Sequence, residues 1–178
     1  MYTLNIGTTF LLSLLLISTF SCDPTRNMTE DELAQQGMTT IILVRHAEKD
    51  YGADPLLTEQ GSERAERLKE MTKNMDIAAV YSTDTRRTLA TARPTAQFHK
   101  KRIQIYSAQS LDTFSALIRR KHRGESILVV GHSNTTPALT SYLDRHNDYE
   151  RFSELDYTNF WVINIPVRGK EKLLKMRY

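Results

Sequence analysis

The residues in this chain best suited to chemistry are Arg45 and His46, which follow directly on the apolar run Ile41-Ile42-Leu43-Val44. An imidazole beside a guanidinium suits a nucleophile next to an anion clamp, which points to phosphate chemistry. Two more such places lie further along. Tyr81 leads into Ser82-Thr83 and the basic pair Arg86-Arg87, and Val130 leads into Gly131-His132. Each chemical group stands at the end of a short apolar run, so each run reads as a buried strand that delivers polar side chains to one sheet edge. In open α/β sheets the carboxyl edge is where ligands bind.

The elements that must position these groups alternate in type. Strands are predicted over Thr39–Val44, Ile77–Tyr81, Ile103–Tyr106 and Ser126–Val130. Helices are predicted over Thr58–Met75, Thr85–Phe98, Leu111–His122 and from Pro137 to Leu143. In the first helix Thr58 is a plausible N-cap, and Ala65, Leu68, Met71 and Met75 recur at spacings of three and four. Phe160–Ile165 and Lys172–Arg177 alternate and are expected to form a strand pair turning near Arg168-Gly169. The fold class predicted is α/β: a three-layer α/β/α sandwich with a mostly parallel central sheet. If its strands are parallel neighbours, the three ends share one crevice with two imidazoles and two or three guanidiniums. Helix N-termini after the second and fourth strands would add N–H donors for phosphate oxygens.

Four segments resemble the histidine phosphatase (phosphoglycerate mutase-like) superfamily, compact phosphatase type. Arg45-His46-Ala47-Glu48 is similar to its Arg-His-Gly/Ala signature. Pro55-Leu56-Leu57-Thr58-Glu59-Gln60-Gly61 looks like its Pro-Leu-Thr-x-x-Gly helix start with one residue inserted. Ser82 through Ala92 resembles the segment bearing the second arginine, at a spacing that selects Arg87 over Arg86. Gly131-His132-Ser133-Asn134 resembles the late Gly-His segment. The order of the four is the family's, and they span Ile41 to about Leu143.

This resemblance implies a phosphatase acting on a phosphomonoester or phosphohistidine. His46 would be the nucleophile that becomes phosphohistidine, with Arg45, Arg87 and His132 holding the phosphoryl oxygens. Neither a cofactor nor a metal is expected; a zinc site on His46 and His132 would have to tolerate the arginines between them. Ser82 and Asn134 are further substrate-binding candidates, with turn ordering and helix capping as their plainer readings. The general acid is open: Glu48 and Asp112 are the candidates, and Glu48 could simply pair with a nearby arginine. Other readings of the whole are a phosphoglycerate mutase-type transferase and a catalytically silent, envelope-tethered module that binds phosphate or a partner. Specificity is assigned to the segments Lys49–Leu57, Gln97–Asp112 and Arg145–Asn159, which carry no motif.

The chain has 178 residues, with 24 Lys+Arg against 21 Asp+Glu. The formal charge of +3 is too small an excess to argue for nucleic acid. The basic clusters Lys100-Lys101-Arg102 and Arg119–Arg123 lack interleaved aromatics and read as solvated surface. His99, His122 and His146 are assigned to the surface for want of a motif. Met1–Ser21 contains no charged side chain, and its apolar stretch has the length of a secretory signal and is too short to span a bilayer. Cys22, the single cysteine, follows Thr19-Phe20-Ser21 and resembles a bacterial lipoprotein cleavage site. The domain plan is therefore 1–21 signal peptide, 22–38 polar tether lipidated at Cys22, and 39–178 catalytic domain. Its expected home is the bacterial cell envelope, on the periplasmic side or as an outer-membrane lipoprotein, touching membrane only through that lipid. The expected partners are phosphorylated small molecules or phosphoproteins.

Overall fold

The computed structural model describes residues 37–178. The signal peptide, Cys22 and nearly all of the tether lie outside the described residues. Six strands form one sheet in the order β3-β2-β4-β1-β5-β6. They are β1 (Thr39–Arg45), β2 (Ile77–Ser82), β3 (Ile103–Ile105), β4 (Ser126–Gly131), β5 (Asn159–Ile165) and β6 (Lys172–Arg177). β3, β2, β4 and β1 run parallel, while β5 and β6 add an antiparallel edge. Four helices, α1 (Glu59–Thr72), α2 (Arg86–Phe98), α3 (Leu111–Lys121) and α4 (Thr135–Asp144), supply the outer layers.

The strand sequences explain this layering. Along β1 the side chains alternate between two cores, Ile41 and Leu43 facing one and Ile42 and Val44 the other. Both sides are fully buried, which is why the run is continuously apolar instead of alternating with polar residues. The first core is closed by Phe114 and Ile118 of α3 and Leu139 and Leu143 of α4. The second is closed by Leu68 of α1 and Ala92 and Ala96 of α2. Each fully buried Ile or Leu contributes roughly 1.5–3 kcal/mol, so β1 is a firmly anchored mount for Arg45 and His46 at its carboxyl end.

Element ends differ from the predicted ones in instructive ways. Thr58 caps α1 by accepting from the Gly61 N–H at 3.1 Å. That helix stops at Thr72, because the Met75 N–H turns back to the Thr72 carbonyl (2.9 Å) and the chain enters β2. α4 begins at Thr135, two residues before Pro137. Pro137 then sits in the first turn, where a missing N–H costs no intrahelical bond. His122, expected on the surface, is buried: its ring lies 2.9 Å from Tyr81 Oη and 2.6 Å from Glu125 Oε2.

Candidate active site

β2, β4 and β1 are adjacent and parallel, so their carboxyl ends open onto one place. The His46 N–H bonds the Gly131 carbonyl at 2.9 Å, and the Thr136 hydroxyl bonds the Val44 carbonyl at 3.2 Å. Gly131 has to be glycine: a Cβ there would meet Tyr106 Oη at 2.7 Å and Thr135 Oγ1 at 2.8 Å. A cavity of about 330 Å³ lies over these ends, lined by His46, Lys49, Arg87, His132, Asn134 and Glu154 among others.

His46 is buried, and its Nδ1 lies 2.8 Å from the Ala47 carbonyl. A carbonyl only accepts, so Nδ1 carries the proton and Nε2 keeps its lone pair. Burial pushes the His46 pKa down to about 3; the Ala47 bond opposes this, and the charges of Arg45, His132 and Arg87 add to it. The ring is therefore neutral at physiological pH, with the free lone pair on Nε2 that a nucleophile needs. The His132 ring stands 5.5 Å away, centroid to centroid. Arg87 Nη2 lies 3.4 Å from His132 Nδ1, and Thr83 Oγ1 lies 2.9 Å from His132 Nε2. Arg87 can only donate, so Nδ1 accepts and Nε2–H points to Thr83. Burial, then Arg87 and Arg45, lower the His132 pKa to about 4.

Arg45 departs from its expected place. It is 1% exposed and does not line the cavity. Its Nη1 donates to the carbonyls of Ser153 and Glu154 at 2.9 Å and of Asp156 at 3.2 Å, and its Nη2 to Glu154 Oε2 at 2.6 Å. The guanidinium also lies 4.2 Å from the Tyr157 ring centroid. Its Nε–H is buried without an acceptor, as is that of Arg87.

Glu48 is a correction. Its carboxylate receives Arg64 Nε at 2.8 and 2.9 Å and Nη2 at 2.6 Å, outside the cavity. Burial works to raise its pKa, but the Arg64 bonds prevail and lower it, the opposite of what a proton donor needs. Asp112 is exposed in the first turn of α3 and is likewise not on the cavity wall. Ser82 is also corrected: it is fully buried, with its hydroxyl on the Thr83 carbonyl (2.9 Å). Asn134 makes no side-chain cap bond on α4 and lines the cavity. Arg86 is exposed. Among the described residues no cluster of three His, Cys, Asp or Glu is arranged for a metal.

Sequence reasoning missed Glu154, Ser133 and Tyr157. Glu154 Oε1 accepts from the Ser133 hydroxyl at 2.7 Å and pairs with Arg151. Those two bonds, with Arg45 nearby, hold its pKa down at about 2 against a smaller burial effect. Tyr157 stands 5.9 Å from the His46 ring. The available signal was positional: Glu154 and Tyr157 fall in the unmotifed Arg145–Asn159 segment, which the Phe152 N–H bond to the Ser133 carbonyl (2.9 Å) folds over the site.

Residues 41–111 match the family model of the histidine phosphatase superfamily, branch 1. No curated protein matches the chain. Among solved structures, the protein histidine phosphatase SixA complexed with tungstate aligns with a TM-score of 0.63 at 15% identity, covering 78% of this chain and 96% of that one. The alpha-ribazole phosphatase from Shigella flexneri aligns at 0.62 and 16% identity, over 78% of this chain and 96% of its own. A mycobacterial glucosyl-3-phosphoglycerate phosphatase aligns at 0.60 and 12% identity, over 79% and 98%. At such identities the likeness speaks for the fold.

Proposed function

We propose that this chain, which belongs to the histidine phosphatase superfamily, hydrolyses a phosphomonoester or phosphohistidine through a phosphohistidine on His46. The observation that carries this reading is the tautomer of His46. With Nδ1–H held by the Ala47 carbonyl, the free Nε2 lone pair belongs to a ring on the wall of a cavity shared with Arg87, Lys49 and His132. Nε2 attacks phosphorus, the bond to the leaving group breaks, and its electron pair departs with the leaving group. Water then attacks the phosphohistidine, the N–P bond returns its pair to Nε2, and inorganic phosphate is released. Arg87 and Lys49 neutralise the phosphoryl oxygens. The unpartnered Nε–H of Arg87, on the cavity wall, is a donor an incoming phosphate can satisfy, which offsets roughly 1–3 kcal/mol for a buried orphan. No step in this scheme calls for a metal.

The test is His46→Asn, which keeps a donor to the Ala47 carbonyl and removes the nucleophile. Label from ³²P-acetyl phosphate should attach to the wild-type chain and not to the variant, and the variant should lose essentially all turnover. Retained turnover excludes His46 as nucleophile. We further propose, from the uncharged Met1–Ser21 stretch and the cysteine that follows it, that the protein resides in the bacterial envelope, tethered through a lipid on Cys22. Incorporation of radiolabelled palmitate into the wild type but not into Cys22→Ala is the expected result there.

A further inference from the structure

A second cavity of about 440 Å³ adjoins the first, and His132 and Ala108 line both. Its other walls are Thr83, Asp84 and Thr85 from the β2–α2 turn and Ile105 to Gln109 from the end of β3. His46 lines only the first cavity. In-line displacement puts the leaving group on the side of phosphorus away from the attacking nitrogen. The cavity that His46 does not line, joined to the first through His132 and Ala108, is the adjoining space in which such a leaving group can sit.

The two cavities differ in charge. The first holds Lys49, Arg87 and both histidines, with Glu154 at its rim. The second has no Lys or Arg on its walls, and its one charged side chain is Asp84. Of the two arginines that follow Asp84 closely in sequence, Arg87 pairs with a different carboxylate, and the exposed Arg86 lines neither cavity. Asp54 Oδ1 accepts the Arg86 backbone N–H at 3.0 Å and lies 3.5 Å from Arg87 Nη1. Among the described residues Asp84 has no ion-pair partner, and beside it Ile105, 53% exposed, offers an apolar surface. With the Arg86 N–H at the start of α2 already taken by Asp54, Asp84 makes this a poorer site for a carboxylate or a second phosphate than for a positively charged group on a short apolar stem.

We propose that this cavity is the leaving-group site and that Asp84 makes the enzyme prefer phosphate esters with a cationic leaving group over those with an anionic one. The inference rests on the phosphatase reading above. It disfavours phosphoglycerate-like substrates, whose leaving group carries a carboxylate.

The probes are two aryl phosphates, one bearing a trimethylammonium group and one a carboxylate, assayed with the full-length wild type, Asp84→Asn and Asp84→Lys. Intrinsic reactivity cancels when the ratio of the two kcat/KM values is compared between proteins. An exposed charge pair is a modest effect, so the ratio should fall about threefold in Asp84→Asn and about tenfold in Asp84→Lys. A ratio unchanged in Asp84→Lys overturns the proposal. So does an equal slowing of both esters in Asp84→Asn, which points to proton transfer by Asp84 instead of charge selection. Labelling of His46 from ³²P-acetyl phosphate is run on the same proteins. Its failure in the wild type removes the phosphatase reading and this inference with it, whereas labelling with an unmoved ratio removes only the inference.

Discussion

Two buried neutral histidines make the stability of this fold sensitive to acid. Folded His46 titrates near pH 3 and His132 near pH 4, both lowered first by burial. In the unfolded chain an imidazole titrates at about 6.5. Between those limits the unfolded state binds protons that the folded state does not, so stability falls as pH drops through 6.5 and levels off near the folded values. Above pH 7.5 the effect has vanished. From pH 7 to pH 5 each ring costs about 2 kcal/mol of stability by proton linkage. Almost no proton binds to either folded ring above pH 5, so repulsion between them does not alter the figure. The pair costs about 4 kcal/mol, a large share of the roughly 5–15 kcal/mol available to a domain. His132→Gln keeps a donor for Thr83 Oγ1 and removes one of the two titrations, so it should lose about 2 kcal/mol less than the wild type over this range. Urea unfolding followed through Trp161, the single tryptophan and a buried one, measures both proteins at the two pH values. Equal losses in wild type and His132→Gln would refute the reasoning.

Three further outcomes are expected. Glu154 places a carboxylate on Arg45 at the cavity rim, so Glu154→Gln should tighten product inhibition by inorganic phosphate by about three- to tenfold; weaker inhibition would mean that Glu154 serves to hold Arg45 in place. Gly61→Ala drives a Cβ into the Glu48 carbonyl oxygen, so α1 must shift, at a cost of at least about 1–3 kcal/mol in thermal unfolding. Glu48→Gln should leave the pH–rate profile in place, because Glu48 is held by Arg64 outside the cavity. A lost basic limb in that variant would restore it as the acid.

What was legible in the sequence is what local pattern can encode. Runs such as Ile41–Val44 and Ile127–Val130 read as buried strands, and once paired in parallel they bring the polar residues at their ends to one edge. Arg87 lines the cavity and Arg86 does not, in keeping with the Ser82–Thr91 spacing of the segment they share, on a helix whose Thr91 hydroxyl accepts the Ala47 N–H at 2.9 Å. The contacts that could not be read join distant positions without periodicity. Glu154 reaches Arg45 across 109 positions, and Arg64 reaches Glu48 from the far side of a turn. Glu48 sits in the motif yet is held outside the cavity by Arg64 of α1, a partner that no local pattern announces. His122 was hidden by its charged neighbours Arg119–Arg123, although its partner is a tyrosine of β2.

The absence of a convincing proton donor follows from the same field that makes the nucleophile. His46 stays neutral because it is buried and because Arg45 and Arg87 are close. Those cations attract phosphate, and they also stabilise the ionised form of any carboxyl group brought near them. Glu154 illustrates this: its bonds to Ser133 and Arg151, with Arg45 beside it, keep it charged far below neutral pH. Glu48 and Asp112 are off the wall of the His46 cavity, and the carboxylate that does line it, Glu154, is held ionised. The arrangement therefore favours substrates whose leaving group departs without help. Phosphorus bound to an imidazole or an acidic phenol meets that condition; phosphorus bound to a simple alcohol does not. For a chemically related series of esters, kcat should fall steeply as the leaving group becomes more basic, and a flat dependence would mean that a proton donor is supplied from outside these residues.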